Sequence, residues 1–144
     1  MDILSGLNDE QRRAVTHESG PLLILAGAGS GKTKTLTHRI AYLIKERHVL
    51  PTRILAVTFT NKAAREMRER IASLLGESAD NRNFMPWMGT FHSICVRLLR
   101  QDGRAIGISP NFIIYDEDDK KSLIKQLFKQ FSLTDKDIKP SAVI

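Results

Sequence analysis

Few folds accommodate the run Leu22-Leu23-Ile24-Leu25-Ala26-Gly27-Ala28-Gly29-Ser30-Gly31-Lys32-Thr33. An unbroken apolar segment leads into a loop with three glycines, then Lys-Thr, then a segment of helical periodicity. Strand, glycine-rich turn and helix in that order are the parts of a phosphate-binding loop. The chemistry explains the residue types. A triphosphate is gripped by backbone N–H groups, and glycines expose those groups and reach positive φ. The following helix aims its unsatisfied N–H groups and partial positive charge at the same anion. Lys32 would reach the β- and γ-phosphates, and the Thr33 hydroxyl would ligate Mg²⁺. Ala26 stands where the strict spacing has its first glycine, a place a small residue can fill. A glycine-rich turn that binds nothing is the alternative, and the eight-residue spacing between matching flanks argues against it.

The 144 residues suffice for one domain, or one domain and the beginning of another. No apolar run approaches the roughly 20 residues that span a bilayer, and no membrane association is expected. Met1-Asp2-Ile3-Leu4 lacks the basic and apolar regions of a signal peptide. One cysteine excludes an internal disulfide framework and suits a reducing cytoplasm. Four scattered histidines and that thiol form no metal-ligand cluster in sequence. The net charge of +6 is uneven: residues 21–52 and 53–104 carry +4 each, residues 1–20 carry −2 and residues 105–144 carry zero. A basic surface beside a nucleotide site points to a polyanionic partner, with a solvated basic face as the alternative.

Leu7 to Val15 reads as a short helix with Asn8 as N-cap, and Gln11 three residues on completes a capping box. Local physics thus gives Gln11 a structural role without any ligand. Glu18-Ser19-Gly20-Pro21 is turn chemistry, and the continuous apolar run Leu22–Ala26 predicts a buried strand of a parallel sheet. Leu36, Ile40, Leu43 and Ile44 predict a helix after the loop, with His38 and His48 as polar residues on or beyond it. Ile54–Val57 predicts a second strand, and Ala64 to Leu75 a helix that stops at Gly76. Strand, helix, strand, helix is a right-handed α/β unit, in which ligands gather at the carboxyl ends of the strands. Thr58 to Lys62 lies at such an end, where Phe59 is either core or a platform for a nucleobase. Trp87–Thr90 predicts a short third strand. Ile94, Cys95, Leu98 and Leu99 predict a helix closed near Gly103, with Cys95 a buried thiol. Thr90, His92 and Ser93 at its start suit either a phosphate or an N-cap.

Phe112-Ile113-Ile114-Tyr115 is a further apolar run, followed by Asp116-Glu117-Asp118-Asp119. An apolar run ending in Asp-Glu is what a phosphate-loop ATPase uses to hold the Mg²⁺ shell and orient water. The same residues make an N-cap and an acidic first helical turn.

Taken together, these segments resemble the N-terminal part of the UvrD/Rep/PcrA class of superfamily 1 DNA helicases. Leu7-Asn8-Asp9-Glu10-Gln11 is similar to that class's Q motif, and Ala26 to Thr33 to its Walker A motif. Thr58 to Ala64, with Glu66 and Met67, is similar to motif Ia, and Gly89-Thr90-Phe91-His92 to motif Ib. Four motifs in order make the resemblance specific, it covers essentially the whole chain, and the Ala26-Gly27 start is common in the class.

The resemblance implies an α/β fold, an incomplete RecA-like P-loop NTPase parallel sheet with flanking helices, plus the start of a helical subdomain. Residues 1–115 would be the N-terminal part of the first motor domain, and 116–144 the start of the inserted accessory subdomain. Gln11 would read the adenine of ATP, displacing the purely local reading of that residue. Ala26, Gly27, Ala28, Gly29, Ser30, Gly31, Lys32, Thr33 and Lys34 would surround the nucleotide, Lys32 and Thr33 being the catalytic pair and Thr33 the Mg²⁺ ligand. Phe59, Asn61, Thr90 and His92 would touch single-stranded DNA. The resemblance sets Asp116 and Glu117 at the opening of the accessory subdomain, since the class's catalytic acidic motif lies further along the chain. Full-length members are ATP-driven 3′→5′ translocases that unwind duplex DNA in repair and replication. The expected partners are DNA and the remainder of the helicase chain, and the expected location is cytoplasmic. The segment alone would bind nucleotide weakly and hydrolyse it negligibly. Two other readings stand beside this one: a self-contained small ATPase or kinase using Asp116 and Glu117, and a non-catalytic nucleic-acid-binding module.

Overall fold

In the computed structural model, residues 2–81 and 83–132 are described; the polar stretch Thr134–Pro140 noted in the sequence lies outside them. The chain divides into two compact units, Met1–Leu98 and Leu99–Ile144. The first unit carries helices α1 (Asp9–Thr16), α2 (Lys32–Lys45) and α3 (Asn61–Leu75), strands β1 (Ala56–Thr58) and β2 (Met88–Thr90), and most of helix α4 (Phe91–Asp102). The second holds the end of α4, a 3-10 turn at Gly103–Ile106 and helix α5 (Glu117–Gln130). No helix among the described residues is long and apolar enough to cross a membrane.

The elements form where local chemistry starts and stops them. Asn8 accepts from the Gln11 N–H while Gln11 reaches back to the Asn8 N–H, so the expected capping box opens α1. Thr60 accepts from the Ala63 N–H at 3.1 Å to open α3. Gly76 ends that helix at φ 72°, a left-handed conformation that costs a residue with a Cβ about 1–2 kcal/mol. α1 packs on α2 and α2 on α3, and α3 covers the ribbon of β1 and β2. The two strands are parallel, with Ala56 opposite Met88 and Thr58 opposite Thr90. The core lies between α2, α3 and this ribbon, where Ile40, Ile54, Ala56, Met67, Ile71, Phe84, Met85 and Met88 are buried together. Arg68 on α3 fixes the approach to β2, donating through Nη2 to the carbonyls of Met85 and Met88 at 3.2 and 3.1 Å.

Two expectations are corrected. Leu22–Ala26 is not a strand and is not buried: Leu23 is 80% and Leu25 86% exposed. A parallel strand exists only through a ladder with its neighbours, and the sheet among the described residues consists of β1 and β2 alone. Hydrophobicity marks the segment as fit for burial but supplies no ladder partner. Cys95 is half-buried rather than enclosed. His38 lies in α2 as the sequence predicts, and there it is buried, its Nδ1 lying 2.5 Å from the Ile3 carbonyl.

Candidate functional site

The start of α2 is open. Gly31 precedes it in a left-handed conformation at φ 88°, no side chain caps the helix, and no acidic residue stands in its first turn. Residues 26–30, Lys32 and Thr33 are all exposed. By contrast Asn8, Thr60 and Asp116 each occupy first-turn N–H groups of α1, α3 and α5. The first turn of α2 therefore presents unclaimed N–H donors and the positive end of a 14-residue helix to solvent. That is an anion-binding arrangement.

The loop is folded around its own polar groups. The Lys32 ammonium donates to the carbonyls of Ala26 and Gly27, each at 2.6 Å. Ser30 Oγ donates to the same Gly27 carbonyl at 2.7 Å. Lys34, which the resemblance sets near the nucleotide, gives its ammonium to the Gly6 carbonyl of the amino-terminal turn at 2.6 Å.

Gln11 joins α1 to this loop. Its Oε1 accepts from the Asn8 N–H at 3.2 Å, and its Nε2 donates to the Ser30 carbonyl at 3.1 Å. The local capping role and a contact with the phosphate loop thus coexist in one amide. The fit is close, since a Cβ on Gly31 would come within 2.6 Å of Gln11 Nε2. Beside these groups a cleft of about 550 Å³ runs between α1 and residues 22–26, bounded also by Ser30 and Lys32. His17 lines it, with Nε2 buried and without a hydrogen-bond partner.

The second group of sequence-predicted residues gathers at the carboxyl edge of the ribbon. Because Thr58 and Thr90 are in register, the residues after β1 and after β2 emerge side by side. Phe59 is 95% exposed, so it is not core. Asn61 opens α3 and His92 lies in the first turn of α4, both exposed. Thr90 Oγ1 accepts from the Ser93 N–H at 3.2 Å, which is the capping role. Asp116 and Glu117 belong to the other compact unit. Asp116 Oδ1 accepts from the N–H groups of Asp118 and Asp119 at 2.9 and 2.8 Å, and Asp119 returns a carboxylate to the Asp116 N–H. The residues before it, Ile113–Tyr115, are exposed and form no strand.

The model of the UvrD/REP helicase N-terminal domain matches residues 7–143. The chain belongs to that family. Among its relatives are the ATP-dependent DNA helicases PcrA of Bacillus subtilis, 55% identical over 142 residues, and of Staphylococcus aureus, 53% identical over the same length. The PcrA of Staphylococcus epidermidis is 52% identical over 142 residues. Each comparison covers 99% of this chain and 19% of the relative, so the chain spans about a fifth of the length of the helicases it matches.

Two further residues of this UvrD/REP N-terminal domain, Phe91 and Arg39, lie beside these groups. Phe91 is 58% exposed on the edge that carries Phe59, and its position directly after a Gly-Thr strand end was the available signal. Arg39 is half-buried in α2 and donates to three carbonyls of the α1 terminus. Nothing in helical periodicity distinguishes it from the other basic residues of that helix.

Proposed function

We propose that this chain is the nucleotide-binding, amino-terminal part of an ATP-dependent 3′→5′ DNA helicase with a RecA-like motor fold, working on DNA in repair or replication. The observation that carries the reading is the uncapped, acid-free start of α2, with the Lys32 ammonium held at its loop. In this reading the amides of residues 27–33 and the Lys32 ammonium hold the triphosphate, which takes over the hydrogen bonds now made to Ala26 and Gly27. Thr33, exposed in the first turn, offers a hydroxyl that suits the oxygen preference of Mg²⁺, the ion that would offset phosphate charge. Gln11 reads the adenine from the wall of the adjoining cleft, and Lys34 reaches the nucleotide by leaving the Gly6 carbonyl.

Phe59, Asn61, Thr90 and His92 form part of a track for single-stranded DNA. Base stacking on an exposed aromatic contributes about 1–3 kcal/mol per base without reading sequence. The motor portion extends to residue 115 and the accessory subdomain begins at Asp116. Further partners are duplex DNA and the remainder of a helicase chain, in the cytoplasm. Hydrolysis needs an acid to orient water, and Asp116 already serves its own helix. Residues 1–144 alone therefore turn ATP over negligibly, and without the phosphate and Mg²⁺ partners of the remaining helicase chain they bind it weakly.

ATPase assays on residues 1–144 and on a chain extended at its C-terminus, each with and without single-stranded DNA, test this. Turnover stimulated by DNA in the extended chain alone is the expected result. Robust turnover by residues 1–144 that Asp116→Ala abolishes would identify a self-contained ATPase. Salt-sensitive single-strand binding indifferent to ATP and to Lys32→Ala would identify a non-catalytic module.

A further inference from the structure

We propose that Arg39 is a positioning residue that sets base selectivity by holding α1, and with it Gln11, in register with the phosphate loop. The inference rests on the nucleotide reading above and assigns a role to a residue with no place in the four motifs. α1 is eight residues long, too short to persist without tertiary support. Its last carbonyls need donors, and no glycine closes it: His17, the C-cap, has φ −51° and ψ 128°. Arg13, the basic residue of the last turn, is instead paired with Glu10 at 3.1 Å. The donor comes from α2. Arg39 Nη1 lies 3.1 Å from the Ala14 carbonyl, 3.0 Å from that of Val15 and 2.9 Å from that of His17.

The same helix begins with the phosphate-binding residues. Arg39 follows Lys32 by seven positions, about 10 Å along the axis at 1.5 Å per residue. α1 is thereby attached at both ends, to the phosphate loop by Gln11 Nε2 on the Ser30 carbonyl and to α2 by Arg39 on its carbonyl end. A positive group there also complements the negative end of the α1 dipole. Gln11 stands at the edge of the 550 Å³ cleft only while both attachments hold. Loss of the guanidinium frees α1 to shift, whereas the loop amides and Lys32, carried by α2 itself, stay in place.

The test is fluorescence titration of residues 1–144 with ribose-labelled ATP and GTP, and displacement by inorganic tripolyphosphate. The variants are Arg39→Met, Arg39→Lys and Gln11→Ala. R39M is expected to weaken ATP binding about tenfold and to bring the ATP/GTP preference close to unity, with tripolyphosphate affinity within twofold of the parent. R39K should fall between, since its side chain is one atom shorter and carries the ammonium less far toward the three carbonyls that Nη1 reaches. An unchanged ATP/GTP ratio in R39M overturns the inference, as does an equal loss of tripolyphosphate affinity. If R39M does not fold, as judged by circular dichroism, R39K decides: an unchanged ratio there overturns the inference too. The Gln11 variant separates the two failures. A preference that survives Q11A sinks the adenine reading itself, whereas one that is lost in Q11A but kept in R39M sinks only the role of Arg39.

Discussion

The starts of α2 and α5 are built from opposite materials. α5 opens with Asp116 and an acidic turn, and its side chains satisfy its own first N–H groups in a reciprocal box. α2 opens with a left-handed glycine, no cap and no acid. Both helices are 14 residues long and carry the same dipole. One is electrostatically closed and gains stability from within. The other leaves its donors open and so depends on loop geometry for its start. An open helix start is a modest local sacrifice of stability, and in this family's domain it coincides with the glycine loop and Lys32. Two segments that both look like nucleotide motifs in sequence thus separate on one question: whether the helix start has already been satisfied.

The strongest way to break this contrast is to remove the cation at the open end. Lys32→Ala should weaken triphosphate binding by about 1.5–3 kcal/mol, roughly 10- to 150-fold, as expected for charge-assisted hydrogen bonds. Asp116→Ala should leave that affinity unchanged, and titration with labelled ATP compares the two. Next in size is Gly31→Ala, which forces a Cβ into a left-handed conformation and toward Gln11 Nε2. It should cost about 1–2 kcal/mol in urea unfolding, and it should also lower ATP affinity through displacement of Gln11.

Asp116→Ala should in turn destabilise α5 by about 1 kcal/mol, the usual worth of an N-cap. Faster amide exchange confined to the first turn of that helix is the check. The smallest effect is expected from Asp118→Asn, an exposed first-turn acid whose partner Lys121 lies at 3.4 Å. A loss of a few tenths of a kcal/mol that disappears in 1 M salt would match dipole and ion-pair energies at an exposed site.

Residues 1–144 announce much of this arrangement. The spacing from Ala26 to Thr33, the Asn8–Gln11 box and the Gly76 stop depend on neighbours within a few positions, and each is legible from residue type alone, whereas the Asp116 cap is one of two readings that residue type leaves open. Phe59 was ambiguous because an aromatic after a strand can turn inward or outward, and its 95% exposure is a property of the surroundings. Gln11 was ambiguous for a different reason. Its cap lies three residues away but its contact with Ser30 lies 19 away, so no window of local sequence contains both.

The sequence by itself determined the chemistry at the starts of α1 and α2, because capping and loop conformation are short-range and set by side-chain type. Tertiary structure alone decided that Leu22–Ala26 stays out of the sheet, since a strand is defined by a ladder whose other half lies elsewhere in the chain. It alone also decided that Arg39 closes a helix more than 20 residues upstream. A guanidinium and three carbonyls so far apart in sequence become partners only when packing brings α1 against α2.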